Sequence, residues 1–81
     1  MRVIYSRIRD FREDSDLTQK QLAEYLRCSQ QAYSQYECGD TGIPIDVLKK
    51  LAVFYNTSVD YLVELTDNPR PYERKRSNSF Q

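Results

Sequence analysis

Apolar residues recur along this chain at intervals of three and four. Ile4, Ile8 and Phe11 share one helical stripe, Leu22 and Leu26 a second, and Ile45, Leu48, Leu51, Ala52 and Tyr55 a longer third. That period predicts amphipathic helices. No segment requires a strand. Polar punctuation sets the ends. Helix 1 is expected from about Ile4 to Asp14. Thr18 and Gln21 form a Thr-x-x-Gln capping box that opens helix 2, which runs to about Leu26. Ser29 caps helix 3, Gln30 to about Cys38, and Gly39 supplies the left-handed stop. Ile43-Pro44 opens helix 4, because proline suits a first turn whose N–H has no partner. Asn56 ends it, and Ser58 caps a fifth helix over about Val59 to Leu65 that buries Val59 and Leu62.

Five short helices within 81 residues make one all-α domain with a modest core. We expect it to occupy residues 1–67. Residues 68–81 begin Asn-Pro-Arg-Pro, where helix is excluded, and form a basic, flexible tail. Nothing approaches the run of about 18 apolar residues that a membrane helix needs. The N-terminal apolar residues are interrupted by Arg2, Arg7 and Arg9, unlike a secretion signal, so a cytoplasmic location is expected. In that compartment Cys28 and Cys38 are expected to be free thiols. With no histidine present they also make a poor zinc site. No cofactor, metal or catalytic residue is expected, since neither cysteine has a visible base partner and no glycine-rich phosphate loop exists.

Charge sharpens the picture. Residues 1–68 carry eight basic and eleven acidic side chains, whereas the remaining tail holds Arg70, Arg74, Lys75 and Arg76 against Glu73. Nucleic-acid binders usually carry a basic body. This chain instead places three glutamines in six positions of helix 3. Tyr33, Tyr36 and Glu37 share the inward side of that helix. Gln31 and Gln35 therefore project outward together, about 6 Å apart, and Gln30 stands at the exposed N-terminus. Glutamine is uncharged and offers both donors and an acceptor, which suits adenine edges in a major groove. Ala32 is placed to meet a thymine methyl. Ser29 and the helix N-terminus are placed to hold a phosphate. Glu37 is expected to pair with Arg12 of helix 1.

The run Leu17-Thr-Gln-x-x-Leu-Ala-x-x-Leu, then Ser-Gln-Gln-x-Tyr-Ser-x-Tyr-Glu-x-Gly39, resembles the phage-repressor and Cro-like (Xre-type) helix-turn-helix family. The resemblance covers roughly residues 3–66. It implies a five-helix, lambda-repressor-like bundle in which helices 2 and 3 form the motif and helix 3 enters the major groove, commonly as a homodimer on a pseudo-palindrome. Carried over by position, it makes Gln30, Gln31 and Gln35 base readers and Gln19 and Ser29 phosphate-proximal. Arg12 and Glu37 become an internal ion pair, and the backbone of the Gly39–Ile43 loop, including Thr41 and Gly42, faces the DNA strand. Two positions depart from the pattern near the DNA. The turn position often held by glycine is Arg27, whose charge is placed to reach a phosphate, and Cys28 fills the small apolar position after it. Asp40 stands where relatives often carry lysine or arginine.

The function implied is a sequence-specific double-stranded DNA-binding transcriptional regulator, a repressor, acting as a homodimer. Helix 5 carries more apolar residues than one buried face needs, so Tyr61, Val63 and Leu65 are candidate dimer contacts. The competing reading is a protein-interaction module, antitoxin-like, on the same fold. The acidic body and Asp40 motivate it.

Overall fold

The computed structural model describes residues 4–72, and the basic run Arg74–Arg76 lies outside them. Five helices follow in order: α1 Ser6–Asp14, α2 Gln19–Leu26, α3 Gln30–Cys38, α4 Ile45–Phe54 and α5 Val59–Leu62. No strand occurs among the described residues.

The helix boundaries follow local chemistry. Thr18 Oγ1 accepts from the Gln21 amide at 3.1 Å, and Gln21 Oε1 accepts from the Thr18 amide at 2.8 Å, closing the capping box. Ser29 and Ser58 hydroxyls accept from the amides of Ala32 and Tyr61, each at 3.0 Å. Gly39 and Asn56 stop α3 and α4 in the left-handed region. Arg27 takes that conformation at φ 60°, although a side chain there costs roughly 1 kcal/mol.

Four expectations are corrected. Helix α1 starts at Ser6, not Ile4. Tyr5 occupies the N-cap position without a capping side chain, and Ile4 is exposed. The buried stripe of α4 contains Val47, while Ile45, on the first turn at the edge of the bundle, is 65% exposed. Pro44 sits in the N-cap position with extended backbone, so α4 begins one residue later than its proline suggests. Finally, α5 ends at Leu62. Val63 caps it, Glu64 turns left-handed at φ 66°, and Leu65 lies outside the helix.

The core comprises Ile8, Leu22, Ala23, Leu26, Tyr33, Val47, Leu48, Leu51, Ala52 and Leu62. Helices α2 and α3 pack closely, and Ala23 of α2 is buried. A row of aromatic rings lies beside this core. Tyr25, Phe54, Tyr55, Phe11 and Tyr61 follow one another with centroid separations of 4.6, 5.0, 4.8 and 5.8 Å. Arg7 closes the row, its guanidinium 4.0 Å from the centre of the Tyr61 ring. The same guanidinium donates to the carbonyls of Tyr61 (2.9 Å) and Thr66 (2.7 Å) and pairs with Asp67 at 2.8 Å. Thr57 Oγ1 donates to the Pro69 carbonyl at 2.7 Å, and the Tyr72 hydroxyl to Asp60 Oδ2 at 2.8 Å. The first residues after Asp67 are therefore hydrogen-bonded to the start of α5.

One buried carboxylate joins α1, α2 and α3. Glu37 Oε2 accepts from Arg12 Nε at 2.7 Å and from the Tyr33 hydroxyl at 2.5 Å. Its Oε1 accepts from Arg12 Nη2 at 3.1 Å and from Gln19 Nε2 at 3.2 Å. Arg12 also donates to the Leu17 carbonyl at 2.9 Å. Burial alone would push the Glu37 carboxyl up. Hydrogen bonds from Arg12, Tyr33 and Gln19 outweigh it and hold the group below its ordinary value. Burial, reinforced by the hydrogen bond to Glu37, pushes the Tyr33 phenol far above its ordinary value. Burial also raises Tyr55, to about 12, so both phenols stay neutral at physiological pH.

Removing a partner from a buried pair leaves the other charge uncompensated, so Glu37→Ala should cost about 3 kcal/mol in urea unfolding. A depressed folded pKa stabilises above the unfolded value of about 4.3 and is lost as pH falls through the folded value. Acid titration of the melting temperature should therefore fall in that window, and Glu37→Gln should flatten the fall. The Tyr55 hydroxyl is buried without a partner among the described residues. Deleting an unsatisfied buried group is near neutral or favourable, so Tyr55→Phe should hold or gain up to about 1 kcal/mol by the same measurement.

Candidate nucleic-acid interface

Helix α3 is oriented by its inward side. Tyr33 is fully buried and Glu37 nearly so. With 3.6 residues per turn, burying these two turns Gln31 and Gln35 toward solvent. Gln30 and Gln31 are exposed, while Ala32, Ser34 and Gln35 are half-buried. Together with Gln19 and Asp40, residues Gln30, Gln31, Ser34 and Gln35 line a single open depression. Of the residues expected to meet DNA, Gln19, Gln30, Gln31 and Gln35 thus converge from two helices, whereas Arg27, Ser29, Thr41 and Gly42 do not line the depression.

The depression is ordered by hydrogen bonds beneath it. Gln19 spends one amide proton on Glu37. Its side chain is therefore held at the depression's edge by the same carboxylate that orients α3. Thr41 Oγ1 donates to Gln35 Oε1 at 3.3 Å, crossing the Gly39 turn. Nothing in the sequence pattern flagged this contact, because it spans six residues and depends on the loop's path. The amides of Gln30 and Gln31, in the first turn, have no partner within the helix.

The remaining residues singled out from sequence are more scattered. Arg27 is exposed in the α2–α3 turn, and Cys28 packs half-buried against the core. Gly42 has neither a positive φ nor a crowded Cβ position, so its missing side chain leaves loop backbone uncovered without relieving strain. Cys38 is an exposed free thiol at the end of α3. The three residues expected as dimer contacts separate by environment. Tyr61 is held between Phe11 and Arg7, Val63 packs against the core, and Leu65 is 76% exposed.

Comparison with known proteins matches residues 8–62 to the helix-turn-helix family. The chain is 41% identical over 75 residues to the uncharacterized HTH-type transcriptional regulator YobD of Bacillus subtilis (strain 168). The alignment covers 91% of this chain and 67% of that protein. It is 34% identical over 58 residues to the cryptic phage CTXphi transcriptional repressor RstR of Vibrio cholerae, covering 72% of this chain and 52% of the repressor. No solved structure matches significantly. The matched span contains α2, the Arg27 turn and α3 entire, together with the Arg12–Glu37 pair that fixes them. The chain belongs to the Cro/C1-type helix-turn-helix family of DNA-binding transcription regulators.

Proposed function

We propose that the chain recognises a specific double-stranded operator through α3 and represses transcription there as a homodimer on a pseudo-palindrome. The observation that carries this reading is the single depression shared by Gln19, Gln30, Gln31, Ser34 and Gln35. A groove about 12 Å wide admits one helix, and uncharged amides arrayed on its outer face discriminate bases more than they attract phosphates. Gln31 forms a bidentate pair with an adenine edge. Gln35 keeps its two amide protons and one carbonyl lone pair beyond the Thr41 bond, enough for a second such pair. Ala32 lies against a thymine methyl. Ser29, Arg27, the Gly42 backbone and the free α3 amides meet phosphates, with Gln19 supporting Gln30 from behind. The similarity to a named phage repressor supports the repressing role.

Selection of bound sequences from a random duplex library should enrich an inverted repeat containing A·T pairs, with half-site centres about 34 Å apart. Binding to the enriched duplex should weaken steeply with added salt. A protein-binding module would instead show no enrichment, and its apolar contact would respond little to salt. Gln31→Ala should cost about 1–3 kcal/mol on the selected operator and leave binding to random DNA nearly unchanged. An equal loss on both would remove Gln31 from direct readout.

A further inference from the structure

Helix α3 ends in a left-handed turn that closes two backbone bonds. With Gly39 at φ 77°, its amide donates to the Tyr36 carbonyl at 3.4 Å, and the Asp40 amide donates to the Gln35 carbonyl at 3.0 Å. These bonds fold the chain back along the helix, and the next residue, Thr41, comes to lie against the Gln35 side chain. Its hydroxyl donates to Gln35 Oε1 at 3.3 Å. Gln35 is therefore held through its backbone and through its side-chain amide. Gln30 and Gln31, which share the depression with it, make no side-chain hydrogen bond among the described residues. Thr41 itself does not line the depression, so its hydroxyl reaches Gln35 from outside it.

We propose that Thr41 is a positioning residue for sequence readout: its hydroxyl orders the Gln35 amide before DNA arrives, and acts on base recognition only through Gln35. The inference rests on the DNA-binding reading and names a determinant of specificity that need not touch DNA. A glutamine side chain has many rotamers, and fixing it on binding costs conformational entropy. A tether already made in the free protein removes part of that cost. The gain appears only where Gln35 engages a base edge. A nonspecific complex, held by phosphates, gains nothing from it.

The chemistry of the tether limits what it fixes. A hydroxyl both donates and accepts. It bonds Oε1 here, and it can accept from Nε2 if the amide turns over. Thr41 therefore sets where the Gln35 tip sits and leaves its donor–acceptor order to the base it meets. A net hydrogen bond is worth about two- to tenfold in an equilibrium constant, which sets the size of the effect. Valine has the shape of threonine without the hydroxyl, and serine keeps the hydroxyl. The two substitutions thus separate the tether from the bulk of the side chain.

NMR relaxation of the side-chain amides in the full chain without DNA should show Gln35 more rigid than Gln30 and Gln31. Thr41→Val should bring Gln35 to their level and Thr41→Ser should not, with the melting temperature held in both because Thr41 is exposed. On the selected operator, Thr41→Val should lose about two- to tenfold in affinity, keep its affinity for random DNA, and have no further effect in a Gln35→Ala background. A wild-type Gln35 amide as mobile as that of Gln31 overturns the proposal. So does a Thr41→Val loss that is equal on random DNA or persists in Gln35→Ala, since either marks a direct phosphate contact. Unchanged operator affinity in Thr41→Val overturns this inference and leaves the DNA reading standing. If no duplex is enriched, the DNA reading itself fails, and this inference falls with it.

Discussion

Everything outward-facing in this protein depends on one inward-facing carboxylate. Glu37 is buried at the junction of α1, α2 and α3, where an unpaired charge would be costly. Three side chains from three helices donate to it, and the strongest of them, Arg12, also ties down the Leu17 carbonyl before α2. The geometry these bonds demand sets the rotation of α3 about its own axis. A helix has one rotational freedom, so fixing Glu37 and Tyr33 inward fixes Gln31 and Gln35 outward. The orientation of these surface amides is thereby tied to polar packing inside. The same carboxylate holds Gln19, so the two helices of the motif are adjusted together.

The surface this produces is unusual in its chemistry. The outer face of α3 presents amides rather than cations, and the body behind it carries more acid than base. Amides discriminate among base edges without adding long-range attraction, whereas phosphate contacts add affinity without discrimination. In the proposed function the balance is made up by geometry, through the free α3 amides, the open backbone at Gly42, and two copies acting on one duplex. The Thr41 bond to Gln35 belongs to the same scheme, because it orients one reader from the loop that follows α3.

The far side of the bundle solves a different problem. Helix α5 is a single turn and cannot hold itself in place. Arg7 holds its end, stacking on Tyr61 and gathering the carbonyls of Tyr61 and Thr66 together with Asp67. The aromatic row from Tyr25 to Tyr61 continues that support across α2, α4 and α1. With α5 held from behind and closed by the left-handed turn at Glu64, Val63 lies beside the α3–α4 loop and Leu65 is left to solvent.

How much of this was legible in the chain depends on the range of the interaction. Capping is local: Thr18 with Gln21, Ser29 with Ala32 and Ser58 with Tyr61 satisfy neighbouring amides, so the sequence alone determined where α2, α3 and α5 begin. Gly39 and Asn56 marked two stops for the same reason. Periodicity determined which side of α3 faces inward, because Tyr33 and Glu37 recur at helical spacing. The ends with no local signal went astray. Tyr5 supplies no cap, so the start of α1 was misplaced, and nothing in Leu62-Val63-Glu64 announces that α5 stops. Burial at the margins was equally illegible. Ile45 and Val47 differ little as residues, and only the position of α4 within the bundle exposes the first and buries the second. The sequence by itself determined the helices, their caps and the outward glutamines, since those follow from contacts within a few residues. Only the tertiary structure decided that Gln19 shares the carboxylate of α3, that Thr41 reaches Gln35, and that Arg7 gathers the carbonyls of Tyr61 and Thr66. Each depends on how segments distant in the chain, or the path of a loop, meet in space.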